Sequence, residues 1–275
     1  MSEKITLTEF IDHTFVRLTT SPNSEVRFWG AMSQYIYPIF DSKKTDSLGL
    51  YCCSKRLSCP ALYVNPQWLR DSIDNYDLTS AEFAILLLVQ LQHLIRLHPF
   101  RGVNKNQAKW RKATSIFSHT VLNTIYKENS SVSSKLLIWS PVKKRISDKG
   151  SYKASDEIED SFLYEKYCPS TTVEEEVYNS VISDPLNKGE NPPQEGEGGN
   201  SLEDFMESMH GSLSDSWSDI QNTMSESDMQ KFVKDIVHQA KDDTQGSIPG
   251  DIITILEDFP EPKTNWNNKF KASMT

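Results

Sequence analysis

The strongest constraint in this chain is one helix-forming stretch with almost no polar face. Thr79-Ser-Ala-Glu82 has the form of a capping box, in which a threonine and a glutamate three residues on satisfy each other's backbone N–H groups. From Phe83 to Leu97 the residues are almost continuously apolar. Pro99 then stops the run, because proline has no N–H to give and its ring clashes with the preceding turn. A helix apolar on nearly all sides is stable only when other elements cover it all round. The stretch therefore predicts a central helix with the rest of the fold wrapped about it. It is not a membrane span, since its longest unbroken apolar part, Phe83 to Val89, is far short of the roughly 20 residues a bilayer requires.

Other segments supply the wrapping. Thr6-Leu-Thr-Glu9 is a second capping box, opening an amphipathic helix through Phe10, Phe15 and Leu18. Another helix carries Phe28, Trp29, Met32, Tyr35 and Ile36, limited by Pro38. Lys43 to Cys59 is polar with short β-prone pieces, and Ala61-Leu-Tyr-Val-Asn65-Pro66 reads as a short strand ending in an Asn-Pro turn. Trp110 to Tyr126 is a helix with Ala113, Ile116, Phe117, Val121, Leu122 and Ile125 inward. Beyond Ser130 the pattern loosens. Leu136-Leu-Ile-Trp139 fits a strand, and Thr171-Thr-Val-Glu174 caps a short helix through Val177, Tyr178 and Val181. Asp184 to Ser201 is Gly, Pro, Asn and Glu with almost nothing to bury, hence a linker or long loop. Leu202 to Trp217 is weakly amphipathic; helices over Ser227 to Ala240 and Ile252 to Phe259 follow.

Charge divides the chain. Residues 1–150 hold 20 Lys+Arg against 12 Asp+Glu, whereas residues 151–275 hold 9 against 26. A net +8 front before a −17 rear argues against a protein built chiefly to grip nucleic acid. It also suggests that the two halves dock on each other, with stability sensitive to salt.

The end of the apolar helix carries the candidate chemistry. A zinc-peptidase helix has His-Glu-x-x-His, because residues i and i+4 share a face and ligate one metal while the glutamate acts as base on the metal-bound water. Here His93 stands at the second histidine position, Val89 at the first and Gln90 at the base. Valine has no lone pair, and an amide takes up no proton near neutral pH. His93 reads equally as a buried, hydrogen-bonded histidine, and His98 as a cation favouring the helix C-terminus. The two lie five apart, about 140° around an ideal helix, so they share a face only if the helix end unwinds.

Several segments together resemble a known family. Arg27-Phe-Trp-Gly-Ala31, Ala61-Leu-Tyr-Val-Asn-Pro66, the helix ending in His93 and His98, and Trp110-x-x-Ala-x-Ser115 are similar to the metallopeptidase-like domain found ahead of von Willebrand factor A domains in bacterial and phage proteins. Ala240-Lys, Gly246-Ser-Ile-Pro249 and Pro262-Lys-x-x-Trp266 resemble that family's closing segment, so the likeness covers nearly the whole chain. The family's helix carries His-Glu-x-x-His and a further histidine five residues on. Carried over, Val89 and Gln90 replace the first histidine and the glutamate, while His93 and His98 are retained. The family's downstream Asp falls on Ser115 and the Asn after it on His119; its later Asp-x-His-x-x-Trp-like segment is reduced to Ser214-Asp-Ser-Trp217.

The resemblance implies a degenerate, catalytically inactive member acting as a structural or protein-interaction module. Its implied partners are a von Willebrand A domain protein or a MoxR-type ATPase. The enzymatic alternative is a divergent zinc-dependent hydrolase with a rearranged site of His93, His98 and His119, three imidazoles being a sound zinc set. A second alternative is nucleic-acid binding through Arg101, Lys105, Lys109, Arg111 and Lys112, with Phe100 and Trp110 interleaved. Lys143-Lys-Arg145 is a smaller basic cluster. The acidic Glu195 to Glu207 region reads as a solvated linker or an interaction tail.

Cys52, Cys53, Cys59 and Cys168 form no CxxC pair, so reduced thiols are expected ahead of a zinc site or a disulfide framework. No G-x-S-x-G elbow, Walker A loop or dinucleotide glycine fingerprint occurs, which leaves acyl-serine, ATP and NAD chemistry unsupported. No basic n-region and apolar stretch opens the chain, and a cytoplasmic setting is expected (the host's, if phage-encoded). The expected architecture is α+β and predominantly helical, a zincin-like central helix packed with other helices and a small sheet. Residues 1–183 form the metallopeptidase-like core, 184–201 the flexible linker or insertion, and 202–275 a helical closing segment packing on the same domain.

Overall fold

The computed structural model of the protein describes residues 5–36, 38–53, 59–76, 78–127, 174–183, 213–244, 246, 248–257 and 259. Helix α1 (Leu7–Thr19) starts at the expected box: Thr6 Oγ1 accepts from the Glu9 N–H at 3.2 Å, and the Glu9 carboxylate accepts from the Thr6 N–H at 2.8 Å. Helix α2 (Ser24–Ser33) is capped by Asn23 Oδ1, which accepts from Glu25 and Val26. It buries Phe28, Trp29 and Met32 and crosses α1 at Gly30. A Cβ on that glycine would lie 2.7 Å from the Leu18 carbonyl carbon, so only glycine allows the two backbones this close.

Three strands follow, β1 (Pro38–Phe40), β2 (Leu48–Cys52) and β3 (Pro60–Val64), in the order β1-β3-β2. Strand β3 runs parallel to β1 and antiparallel to β2, with Leu50 opposite Leu62. All five residues of β2 and of β3 are buried. The Asn-Pro pair after β3 does more than turn the chain. Asn65 Oδ1 accepts from the Gln67 and Trp68 N–H groups, with Pro66 at the first helical position, and so launches α3 (Pro66–Tyr76), a helix the sequence reading lacked.

Helix α4 (Ser80–Ile95) is the expected centre: Phe83 to Val89 are each at most 2% exposed, and α1, α2 and the later helices pack on it. Its end differs from expectation. The helix stops at Ile95, Leu97 takes a left-handed conformation (φ 53°, ψ 32°), and a short helix α5 (His98–Arg101) begins in a new direction. Pro99 sits inside the first turn of α5, where a missing N–H costs nothing, and does not itself end α4.

Helix α6 (Gln107–Lys127) packs against α4 and against α7 (Glu174–Ser183). Helix α8 (Leu213–Thr223) covers β2 and touches α5, α9 (Glu226–Thr244) lies on α2, and α10 (Gly250–Glu257) completes the described set. One apolar cluster runs from Phe10 and Leu18 through α4 to Val177, Ile220, Val233 and Ile252. The acidic rear of the chain thus shares a core with the basic front. The architecture is α+β, predominantly helical, with a small three-stranded sheet. No described helix is long and apolar enough to cross a membrane. The expected strand at Leu136–Trp139, the cluster at Lys143–Arg145, the linker at 184–201, the acidic 195–207 stretch, Cys168 and the segment at Pro262–Trp266 lie outside the described residues.

Candidate functional site

The site is built by the reversal at Leu97. On a continuous helix His93 and His98 would point apart; the left-handed residue folds the chain back and brings their Nδ1 atoms to 2.8 Å. Both rings are buried, and His98 Nε2 lies 3.2 Å from Glu174 Oε1, on α7. An ionised carboxylate only accepts, so His98 presents Nε2–H to Glu174. A neutral His98 then has only its Nδ1 lone pair for His93, which donates from its own Nδ1–H. The tautomers of both rings follow from that one carboxylate.

Glu174 holds three cationic or imidazole partners. Arg96 Nη1 reaches Oε1 at 3.2 Å, Arg101 Nη2 reaches Oε2 at 3.2 Å, and His98 takes Oε1. Arg96 is held on its other sides by Gln92 Oε1 at 2.7 Å and Asp251 Oδ2 at 3.1 Å, over the Phe117 ring. Arg101 and Lys105 also bind Glu175, at 2.7 and 3.1 Å. Aromatic rings wall the cluster. Trp110 Nε1 donates to the His98 carbonyl at 2.9 Å, Trp217 meets the His93 ring edge-on at 5.5 Å, and Tyr178 packs on Trp110. Lys105 Nζ sits 3.5 Å above the Trp110 ring.

These surroundings set the protonation states. Burial strips His98 of solvent and pushes it from 6.5 down to about 4, outweighing its bond to Glu174. Burial would raise Glu174, but the hydrogen bond from His98 and the neighbouring guanidinium charges hold it well below the usual carboxylate range. At neutral pH the cluster is a neutral His98, hydrogen-bonded to His93, beside an ionised glutamate and two arginines.

The positions matched to the metallopeptidase pattern lie in α4, α5 and α6. Val89 is fully buried in α4 and Ser115 is buried in α6. Gln90 is also buried, and among the described residues no acceptor meets its Nε2. The backbone of His119 belongs to α6, and its side chain lies outside the described part. As placed, His93 and His98 do not present two ligands to one zinc ion. Two ligands each about 2.1 Å from a tetrahedral zinc stand about 3.4 Å apart, whereas His93 and His98 share one hydrogen at 2.8 Å. His98 turns its other nitrogen to Glu174, on the opposite side of the ring. Among the described residues no three His, Cys, Asp or Glu groups converge on one point.

The basic stretch is largely engaged within the chain. Arg101 and Lys105 bind Glu174 and Glu175, Lys112 is buried, and Lys109 and Arg111 are half-buried. His98 is a neutral group opening α5, so the sequence reading of it as a charged C-terminal cap is corrected. Sequence reasoning also missed Arg96, Glu175 and Asp251, and saw Glu174 only as a capping residue. The one available signal was a charged Arg96 inside an otherwise apolar run, since such a charge is buried only with a partner. Comparison with family models, with curated proteins and with solved structures gives no match in any of the three.

Proposed function

We propose that this chain is a degenerate relative of the metallopeptidase-like domains that precede von Willebrand A domains, one that has lost hydrolysis and works as a protein-interaction module. The carrying observation is that the family's ligand and base positions hold a buried Val89 and Gln90, while the retained His93 and His98 bind each other and His98 binds Glu174. Within the cluster Arg96, Arg101 and Lys105 are each paired with Glu174, Glu175 or Asp251, and a polar network satisfied in this way positions helices. The resemblance gains support from spatial coherence. Trp110 and Trp217, carried by separate segments of the likeness, meet at the histidines, Trp110 on His98 and Trp217 on both. The partner class that follows is a von Willebrand A domain protein or a MoxR-type ATPase.

One purification tests this reading. The untagged chain, isolated under mild conditions from its native host, is expected to carry below roughly a tenth of an equivalent of zinc. It is expected to bring down a von Willebrand A or MoxR-type protein, identified by mass spectrometry. Stoichiometric zinc would transfer the assignment to the divergent hydrolase. Recovery of neither partner would remove the interaction role.

A further inference from the structure

The hairpin of β2 and β3 ends in a pair of thiols that the site above does not use. Cys52 lies opposite Pro60, and the Cys53 N–H donates to the Cys59 carbonyl at 3.0 Å, so Cys53 and Cys59 form the next rung. Residues directly opposite at a hydrogen-bonded rung have Cα atoms about 5.5 Å apart, inside the roughly 4.4–6.8 Å that a disulfide spans. Side chains alternate along a strand, which separates the neighbouring cysteines. Cys52 joins the main core, whereas Cys53 packs on the other face with Tyr51, Ala61 and Tyr63. The Cys53 and Cys59 thiols already meet in a side-chain hydrogen bond, and both residues are half-buried, within reach of a small reagent.

We propose that Cys53 and Cys59 are a reversible redox pair that closes into a disulfide at the loop end of the β2–β3 hairpin by exchange with a small-molecule disulfide. One thiolate of the pair attacks the reagent, forming a mixed disulfide and releasing one reagent thiolate. The second protein thiolate then attacks the protein sulfur of that mixed disulfide and expels the other reagent thiolate. Two protein thiols are oxidised, one reagent disulfide is reduced, and the two protein protons leave with the two released thiols. Cys52 is the wrong partner on position, since its strand neighbour Pro60 has no sulfur and its own side chain faces the core. Burial, together with the bond to Cys59, pushes the Cys53 thiol up to about 11, so closure is slow at neutral pH and belongs to sustained oxidation.

The full chain is incubated with excess oxidised glutathione, alkylated, unfolded and digested with trypsin. Lys55 and Arg56 lie between the two cysteines, so cleavage leaves residues 45–55 and 57–70 joined only by the new bond. The expected result is that linked pair, with two thiols lost per chain, no glutathione retained on either, and release of both peptides by reductant. Cys52→Ser is expected to keep the link. Cys53→Ser and Cys59→Ser are each expected to stop at a mixed disulfide on the remaining partner. A link that persists in Cys53→Ser, a bond between separate chains, or a wild-type product that remains glutathionylated without closing would overturn the proposal.

Discussion

His98 is wholly buried beside two arginines, and this makes the fold sensitive to acid. Its folded pKa lies below the unfolded value, so the folded state refuses a proton that the unfolded chain accepts. The stability this protects is present above pH 6.5 and is lost as pH falls toward about 4. Glu174, also lowered, acts in the same direction: its contribution is present above the ordinary carboxylate value and fades as pH falls below it. Urea unfolding followed from pH 7 to pH 4 is therefore expected to show a falling midpoint, with a His98 contribution on the order of 3 kcal/mol. His98→Gln is expected to lose stability at pH 7 and to flatten the upper part of that fall. An unchanged slope would place the acid-sensitive group elsewhere. The sequence made His93 and His98 visible as candidates because histidines near a helix end are conspicuous. Their mutual contact depended on Leu97, a residue type that gives no sign of a positive φ.

Elements with a local chemical signature were legible, and those set by tertiary contact were not. The Thr6–Glu9 box and the apolar run of α4 are written in residues a few positions apart, and both formed where expected. Helix α3 was hidden because its residues are polar apart from Trp68, Leu69 and Ile73; it exists because Asn65 caps it and the core accepts those side chains. The Arg27-Phe-Trp-Gly-Ala31 segment owes its glycine to a close crossing of two helices. Gly30 is the contact point of α1 and α2, where a methyl group would press on Leu18 and Thr19 backbone at 2.7–2.8 Å. Gly30→Ala is expected to cost about 1–3 kcal/mol, because backbone atoms on both helices must move. Gly250→Ala serves as the control, since a Cβ there meets nothing within 4 Å at the start of α10. It is expected within about 0.5 kcal/mol of wild type. Thermal melts of the two variants check both, and equal losses would mean that the close crossing of α1 and α2 is not what Gly30 serves.

At the scale of the whole molecule the charge split becomes a matter of docking. Lys44 binds Asp219 at 2.6 Å, Arg96 binds Glu174 and Asp251, and Arg101 and Lys105 bind Glu175, each pair joining the basic front to the acidic rear. The bulk response of stability to salt does not isolate these contacts, because the net −9 also repels itself and salt relieves that repulsion. A double-mutant cycle separates the two, since self-repulsion common to all four proteins cancels. Arg101 Nη2 reaches both oxygens of Glu175, at 2.8 and 2.7 Å, with the side chains 32% and 42% exposed. Exposed pairs are worth about 0.2–1 kcal/mol, and a fork-like contact belongs near the top of that range. The cycle of Arg101→Ala, Glu175→Ala and their double variant is expected to give a favourable coupling of about 0.5–1 kcal/mol at low salt. Near 1 M salt, where the screening length falls to about 3 Å, that coupling is expected to shrink by about half or more. The same cycle on Arg96 and Glu174 is expected to keep its coupling in high salt, because those side chains are 9% and 3% exposed and ions do not enter between them. Couplings that vanish in both cycles would mean that the apolar cluster alone closes the rear of the chain over the front, with the charges merely tolerated at the seam.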